Sequence, residues 1–282
     1  MVGAGGHKGW TAFAWHGVLI TVCCAMLYPV VWMIASSFKP EAEIFSDLRP
    51  WPTDLSPRAY VEGWTGLQLP FGRFFLNSAI VSSLAVLGNV VACSLAAFAF
   101  ARLEFPLKRL WFTLMLGTLM LPYHVTLVPQ YVLFQNLGWV NTFLPLVVPK
   151  FLAADAFFIF LMVQFFRGIP RELDEAATID GCGPFRLYLM VILPLSRPVL
   201  ATAAIFSFIW TWDDFFGPLI YLNDQANYTV PLALRAFVDS SGRSEWGPLF
   251  AMSTLSLVPV FLVFLFGQRL IIHGIATQGL KG

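Results

Sequence analysis

Residues 171–194 read RELDEAATIDGCGPFRLYLMVILP. Within 16 positions the run carries Arg171, Glu172, Asp174, Glu175, Asp180 and Arg186. The surrounding chain is very different: of 282 residues 58% are hydrophobic, only 12% are charged, and mean hydropathy is +0.73. A soluble domain carries about 25% charged residues and could not hide this much apolar surface. The composition therefore defines an integral membrane protein interrupted by one polar segment; a net charge of +1 says nothing about nucleic acid, no basic cluster suggests it, and no nucleic-acid partner is expected.

A membrane crossing needs about 20 mostly apolar residues. Six segments qualify: Phe13–Ala35, Leu76–Phe100, Leu110–Val128, Leu144–Phe166, Val199–Leu222 and Pro248–Phe266. The first exceeds a signal peptide's apolar core and lacks an A-x-A-like site, so it is expected to be retained. The fold class is thus all-α and polytopic, with six transmembrane helices. The chain reads as one transmembrane domain over 1–282, with a core at about 72–270, outer loops 36–73 and 223–247, and the polar loop 168–197.

Orientation follows from Lys and Arg in the connections. With the N-terminus inside, the inner segments hold Lys8, Arg102, Lys108, Arg109, Arg167, Arg171, Arg186, Arg197, Arg269 and Lys281. The outer segments hold the smaller set Lys39, Arg49, Arg58, Arg73, Lys150, Arg235 and Arg243. Both termini and the opening segment are accordingly expected in the cytoplasm. Trp51, Trp64, Trp139 and Trp246 fall near span ends, where indole rings sit at headgroup level.

Pro170 suits a first helical position, and Glu172, Asp174 and Glu175 favour the positive end of the helix dipole. Gly181 is a left-handed stop. A helix is therefore expected over 170–180, with Leu173, Ala176 and Ala177 on one small face. A second helix starts at Pro184, with Phe185, Leu189 and Ile192 on one face, and is expected to end at Leu193, before Pro194. Two readings fit this elbow. An interfacial linker would rest on headgroups, but it would want Lys and Arg rather than acids. A protein-docking element accounts for the acids.

Glu175-Ala176-Ala177, then Gly181, then Val191-Ile192-Leu193-Pro194 resembles the EAA loop of binding-protein-dependent ABC import permeases. Val191 stands where that pattern usually has Ile. Phe71-Gly72-Arg73-Phe74, Asn77-Ser78, Phe98–Arg102, Phe165–Pro170, Trp212–Phe215 and Gly274–Gly282 resemble the sugar-transporting, maltose-type branch with six spans. Asp213 departs from the Asn common there.

The resemblance implies a prokaryotic cytoplasmic-membrane permease that forms half of a sugar pathway with a second, homologous permease. It implies that the helix at 170–180 couples to two copies of a cytoplasmic ATPase subunit, with Glu172, Glu175, Ala176, Ala177, Asp180 and Gly181 at the dock. An extracytoplasmic sugar-binding protein would deliver the solute at the outer loops, and the tail Gly279–Gly282 would reach the ATPase. The chain has no G-x-x-x-x-G-K-[ST] loop, so ATP and Mg are expected in the partner, with no cofactor, metal or catalytic residue in this chain.

Ionisable groups within spans default to functional readings. Asp213 and Asp214 lie beside Trp210 and Trp212, a pairing that suits sugar hydroxyls and rings; the alternative is acids solvated or paired near the outer interface. Asn77 and Asn89 either line the pathway or bond between helices. Asp155 is expected to pair with Lys150, and Glu41, Glu43 and Asp47 to be solvated loop charges. Pro122, Pro218 and Pro259 are candidate bends. Cys23, Cys24, Cys93 and Cys182 read as small apolar fillers. A stand-alone secondary transporter or channel is the rival function, and an intramembrane enzyme a weaker one, since the four His are scattered.

Overall fold

A computed structural model describes residues 7–47, 49, 51–52, 55–238 and 244–279; side chains are described outside 7–11, 123 and 271–279. Arg243 and the last three residues of the expected tail, Gly279–Gly282, lie outside these. Every regular element among the described residues is helical. In chain order they are α1 (His7–Ser36), α2 (Arg58–Thr65), α3 (Phe71–Arg102), α4 (Lys108–Thr118), α5 (Tyr123–Asn136), α6 (Leu144–Phe151) and α7 (Ala156–Arg167). There follow α8 (Glu172–Ile179), α9 (Pro184–Leu195, with a π turn at Tyr188–Ile192), α10 (Arg197–Trp212), α11 (Phe216–Tyr221), α12 (Val230–Leu234) and α13 (Trp246–Gly279).

Four stretches are long and apolar enough to cross a bilayer: Ala12–Ser36, Phe71–Arg102, Leu144–Arg167 and Trp246–Leu270. A fifth is the pair α9–α10 if its 78° bend lies within one span. The expected span Leu110–Val128 is not one helix. It divides into α4 and α5 around Leu119–Pro122, because Pro122 takes extended backbone (ψ 129°) ahead of α5. Pro259, by contrast, is carried inside α13 without a break. The expected span Val199–Leu222 breaks after Trp212, and Asp213 and Asp214 occupy that break. Apolar side chains along α1, such as Phe13, Leu19 and Met26, are exposed, which only a lipid or protein neighbour tolerates.

The described residues group into two compact units, 1–71 with 234–256, and 72–233 with 257–282. In the first, the loop after α1 is built around buried polar groups. Lys39 is buried, and its Nζ donates to the carbonyls of Asp47 (2.7 Å) and Arg49 (2.6 Å). Glu41 is not a merely solvated charge: its carboxylate accepts N–H bonds from Trp246 and Gly247, both 2.8 Å, capping α13 where the helix dipole is positive.

Among the described residues, two hydrophobic clusters lie in the second unit. One joins Phe98 and Ala101 of α3, Phe158, Met162 and Phe166 of α7, Ala177 of α8, Tyr188 and Ile192 of α9 and Ala203 of α10. The other joins Val81, Phe134, Leu146, Tyr221 and Leu232. The first seats the polar segment, and the second lies among the helix breaks.

Candidate functional site

The polar segment folds as an elbow. α8 opens with three acids in its first turn and closes at Gly181, whose φ of +80° a residue with Cβ adopts only with strain. There Gly181 N–H donates to Thr178 O (3.0 Å) and Cys182 N–H to Ala177 O (2.9 Å), the paired bonds of a left-handed helix stop. The expected common face of Leu173, Ala176 and Ala177 is split. Ala177 is buried, 8% exposed, among residues of its own chain, while Leu173 and Ala176 stay exposed with Glu172, Glu175 and Asp180. Ile179, 87% exposed, joins that outer face and was not singled out from the sequence.

What fixes the elbow is Arg102, the last residue of α3. Its side chain is 3% exposed; Nε lies 3.1 Å from Asp174 Oδ2 on α8, and Nη2 donates to the Ile169 carbonyl at 2.7 Å. Beside this pair lies a cleft of about 690 Å³ lined by Arg171, Glu175, Thr178 and Cys182 among others. In the sequence Arg102 stands only as an inner positive charge and as the end of the Phe98–Arg102 motif, with no sign of its partner on α8.

The second arm continues further than expected. Helix persists through Pro194 to Leu195, with Leu193 in ordinary helical backbone (φ −61°, ψ −47°). The π turn at Tyr188–Ile192 widens the hydrogen-bond register just before Pro194, which has no N–H to give. Ile192 is buried, but Phe185 and Leu189 are exposed, so they do not share a buried face. Tyr188 anchors the arm, its hydroxyl 2.7 Å from Ser94 Oγ on α3.

A second candidate site lies at the helix breaks. A cavity of about 590 Å³ is lined by Leu119 and Leu121 between α4 and α5, Ala154 and Asp155 between α6 and α7, and Asp214 after α10, with Gln130, Phe157, Trp210 and Tyr221. Lys150 Nζ meets Asp155 Oδ2 at 2.9 Å, and Ala153 between them has φ +53°, so the pair braces the break. Asp214 Oδ1 accepts Gly217 N–H at 3.1 Å.

The structure thus brings Trp210 and Asp214 together and leaves four other sequence candidates elsewhere. Trp212 is buried, stacked on Phe208 with ring centroids 5.5 Å apart. Asp213 is exposed and does not line the cavity. Asn89 donates to Ser207 Oγ at 2.9 Å, a bond between α3 and α10. Asn77 donates to the carbonyls of Ala226 and Tyr228, both 2.9 Å, and Ser78 Oγ accepts Val230 N–H at 2.8 Å. Asn141 adds to this clamp by accepting the N–H groups of Asn223 (3.0 Å) and Asp224 (2.9 Å). Among the described residues no cluster of His, Cys, Asp and Glu could hold a metal ion.

Interrupted apolar helices around a cavity that admits Lys150, Asp155 and Asp214 to a largely apolar lining, with a polar elbow held at the end of one helix, fit a membrane transport protein. Comparison with known proteins gives the family. Residues 88–276 match the family described as the binding-protein-dependent transport system inner membrane component, and the chain belongs to it. It is 35% identical over 258 residues to a probable ABC transporter permease protein of Bacillus subtilis, covering 92% of this chain and 85% of the relative. It is 34% identical to the diacetylchitobiose uptake system permease protein of Streptomyces coelicolor (94% and 87% covered). It is 33% identical to the trehalose/maltose transport system permease protein of Thermococcus litoralis (94% of each covered). The fold matches a chain of a bacterial ABC transporter involved in alginate import with TM-score 0.82 at 19% identity, over 95% of this chain and 99% of that one. The protein is therefore a multi-pass permease of an ABC import system, not a stand-alone transporter.

Proposed function

We propose that this permease carries a sugar or sugar-like solute and is driven through its elbow by a separate ATPase subunit. Two copies of that subunit bind ATP and Mg, a second homologous permease completes the pathway, and an extracytoplasmic sugar-binding protein delivers the solute at the outer loops. The N- and C-termini face the cytoplasm. The whole chain, 1–282, works as one transmembrane domain.

One observation carries this reading: the elbow presents Glu172, Glu175, Ala176, Ile179 and Asp180 outward while Ala177 and Asp174 hold it to the chain's own core and to Arg102. An element fixed on one side and exposed on the other can pass a push from a docked subunit into α3. Gly181 gives the turn its shape and Glu175 is a polar contact at the dock. The uptake systems named for the relatives supply the substrate class. In the cavity, Trp210 offers a face for a sugar ring and Asp214 an acceptor for hydroxyls; Asp213, Trp212, Asn77 and Asn89 lie outside its lining.

The test is co-expression of the full complex with Glu175→Ala/Gly181→Asp. Loss of ATPase co-purification, or of solute-stimulated ATP hydrolysis, is expected. Survival of both overturns the docking assignment. Uptake that persists with the proton gradient collapsed and ATP intact supports the ATP-driven reading; its complete loss contradicts it.

A further inference from the structure

The inner end of the second unit holds a third cavity, a basic one, that neither the elbow nor the solute cavity uses. It measures about 510 Å³ and lies where the end of α3, the start of α4 and the end of α7 meet. Lys108, Arg109 and Arg167 line it, with the rings of Phe100 and Phe112 as walls. Glu104 is the one acid in its lining, and Lys108 already engages it: Nζ lies 3.0 Å from Glu104 Oε1 and 2.6 Å from the Leu103 carbonyl. Arg109 and Arg167 have no acidic partner among the described residues. The Arg167 guanidinium carbon stands 5.2 Å from the Phe112 ring centroid, which positions the charge without neutralising it.

The excess of Lys and Arg on the cytoplasmic side accounts for cations at this end, but not for their convergence on one aromatic-walled cavity. The neighbouring surface says what fills it. Along α4, Leu110, Trp111 and Leu114 lie on one side at i, i+1 and i+4, and all three are exposed, with Leu107 of the cavity lining just ahead of the helix. Arg109 stands on α4 between Phe112, which faces the cavity, and this apolar stripe. An occupant must therefore be anionic at one end and hydrocarbon at the other.

We propose that this cavity binds the headgroup phosphate of an anionic glycerophospholipid of the inner leaflet, held between Arg109 and Arg167, with the acyl chains along the exposed side of α4. Basic pockets between membrane helices at the cytoplasmic face suit such headgroups. The site rests on the membrane reading and on the proposed orientation with both termini in the cytoplasm, and on neither the sugar nor the ATPase assignment.

The purified transporter complex, moved into nanodiscs of phosphatidylcholine with one quarter phosphatidylglycerol, is released and its retained lipids are counted by native mass spectrometry. Wild type retains more phosphatidylglycerol per permease than Arg109→Gln/Arg167→Gln, with phosphatidylcholine equal in the two. The loss expected is about 30-fold in affinity, the equivalent of roughly 1 kcal/mol for each charge. Arg109→Lys/Arg167→Lys recovers most of the retention, because the charge remains. Equal phosphatidylglycerol in wild type and the Gln variant overturns the proposal. Displacement of the lipid by 10 mM inorganic phosphate also overturns it, since the site would then be filled from solution. Loss of the ATPase subunit from the Gln variant with lipid unchanged assigns the cavity to a protein partner and likewise overturns it.

Discussion

Replacing Arg102 by Met should uncouple the elbow from the helix it is meant to move. Arg102 contributes one charge-assisted hydrogen bond, to Ile169 O, and one ionic contact, to Asp174. A hydrogen bond to a charged group is worth about 1.5–3 kcal/mol, and stripping one partner from a fully buried pair costs about 3–5 kcal/mol. Asp174 keeps 18% side-chain exposure and regains some water, so the loss here is about 2–3 kcal/mol. That shifts the balance between seated and detached elbow by about 30- to 150-fold. Amide hydrogen exchange over 169–182 should accelerate accordingly, and solute taken up per ATP hydrolysed should fall while unstimulated hydrolysis persists. Arg102→Met/Asp174→Leu supplies the control, since an apolar pair of similar size often replaces a buried ion pair at little cost. It should recover most of the exchange protection. If Arg102→Met leaves both exchange and coupling at wild-type values, or the double variant is as damaged as the sum of its parts, Arg102 is not the tether.

Further outcomes are expected. Glu41→Ala removes the acceptor for two N–H groups at the start of α13 and should cost about 1 kcal/mol, read as a lower midpoint of thermal unfolding in detergent. Trp212→Ala empties a buried site and should cost about 3–5 kcal/mol, whereas Trp210→Ala, at a half-exposed ring on the cavity, should change the concentration dependence of uptake with little effect on melting. Asn77→Leu orphans the carbonyls of Ala226 and Tyr228 and should cost about 0.6–2 kcal/mol, with faster exchange confined to the outer loop. Gly181→Ala forces Cβ onto a φ of +80° and should destabilise the elbow by about 1–2 kcal/mol, seen as local exchange at 178–183.

What the sequence disclosed and what it concealed divide by the range of the interaction. The α8 helix, its acidic first turn and its stop at Gly181 depend on neighbours within a few residues, and were legible. So was Lys150–Asp155, five residues apart. Arg102 meets Asp174 and Glu41 meets Trp246 across long separations, and a single charged residue carries no sign of a distant partner. Prolines were ambiguous for a related reason. Pro122 ends a helix, Pro259 is absorbed in one and Pro194 is admitted by a π turn, and only the packing around each decides. Likewise Asn77 and Asn89 looked as suitable for a pathway as for interhelical bonds, and their partners on 226–228 and Ser207 settle their present geometry. Ala177 shared a helical face with Ala176 by spacing, yet α8 rolls it into the core beside Leu187 and Tyr188.

The most direct test of the account is a photo-crosslink from the elbow. A benzophenone side chain placed at Ile179, the most exposed apolar position of α8, should form an adduct with the ATPase subunit in the assembled transporter, with a yield that changes between ATP-bound and nucleotide-free states. The same probe at Trp51, an exposed residue of the loop after α1, should give none. An Ile179 yield no greater than that at Trp51, in a complex that still hydrolyses ATP on addition of solute and binding protein, contradicts the claim that this elbow is where the permease is driven.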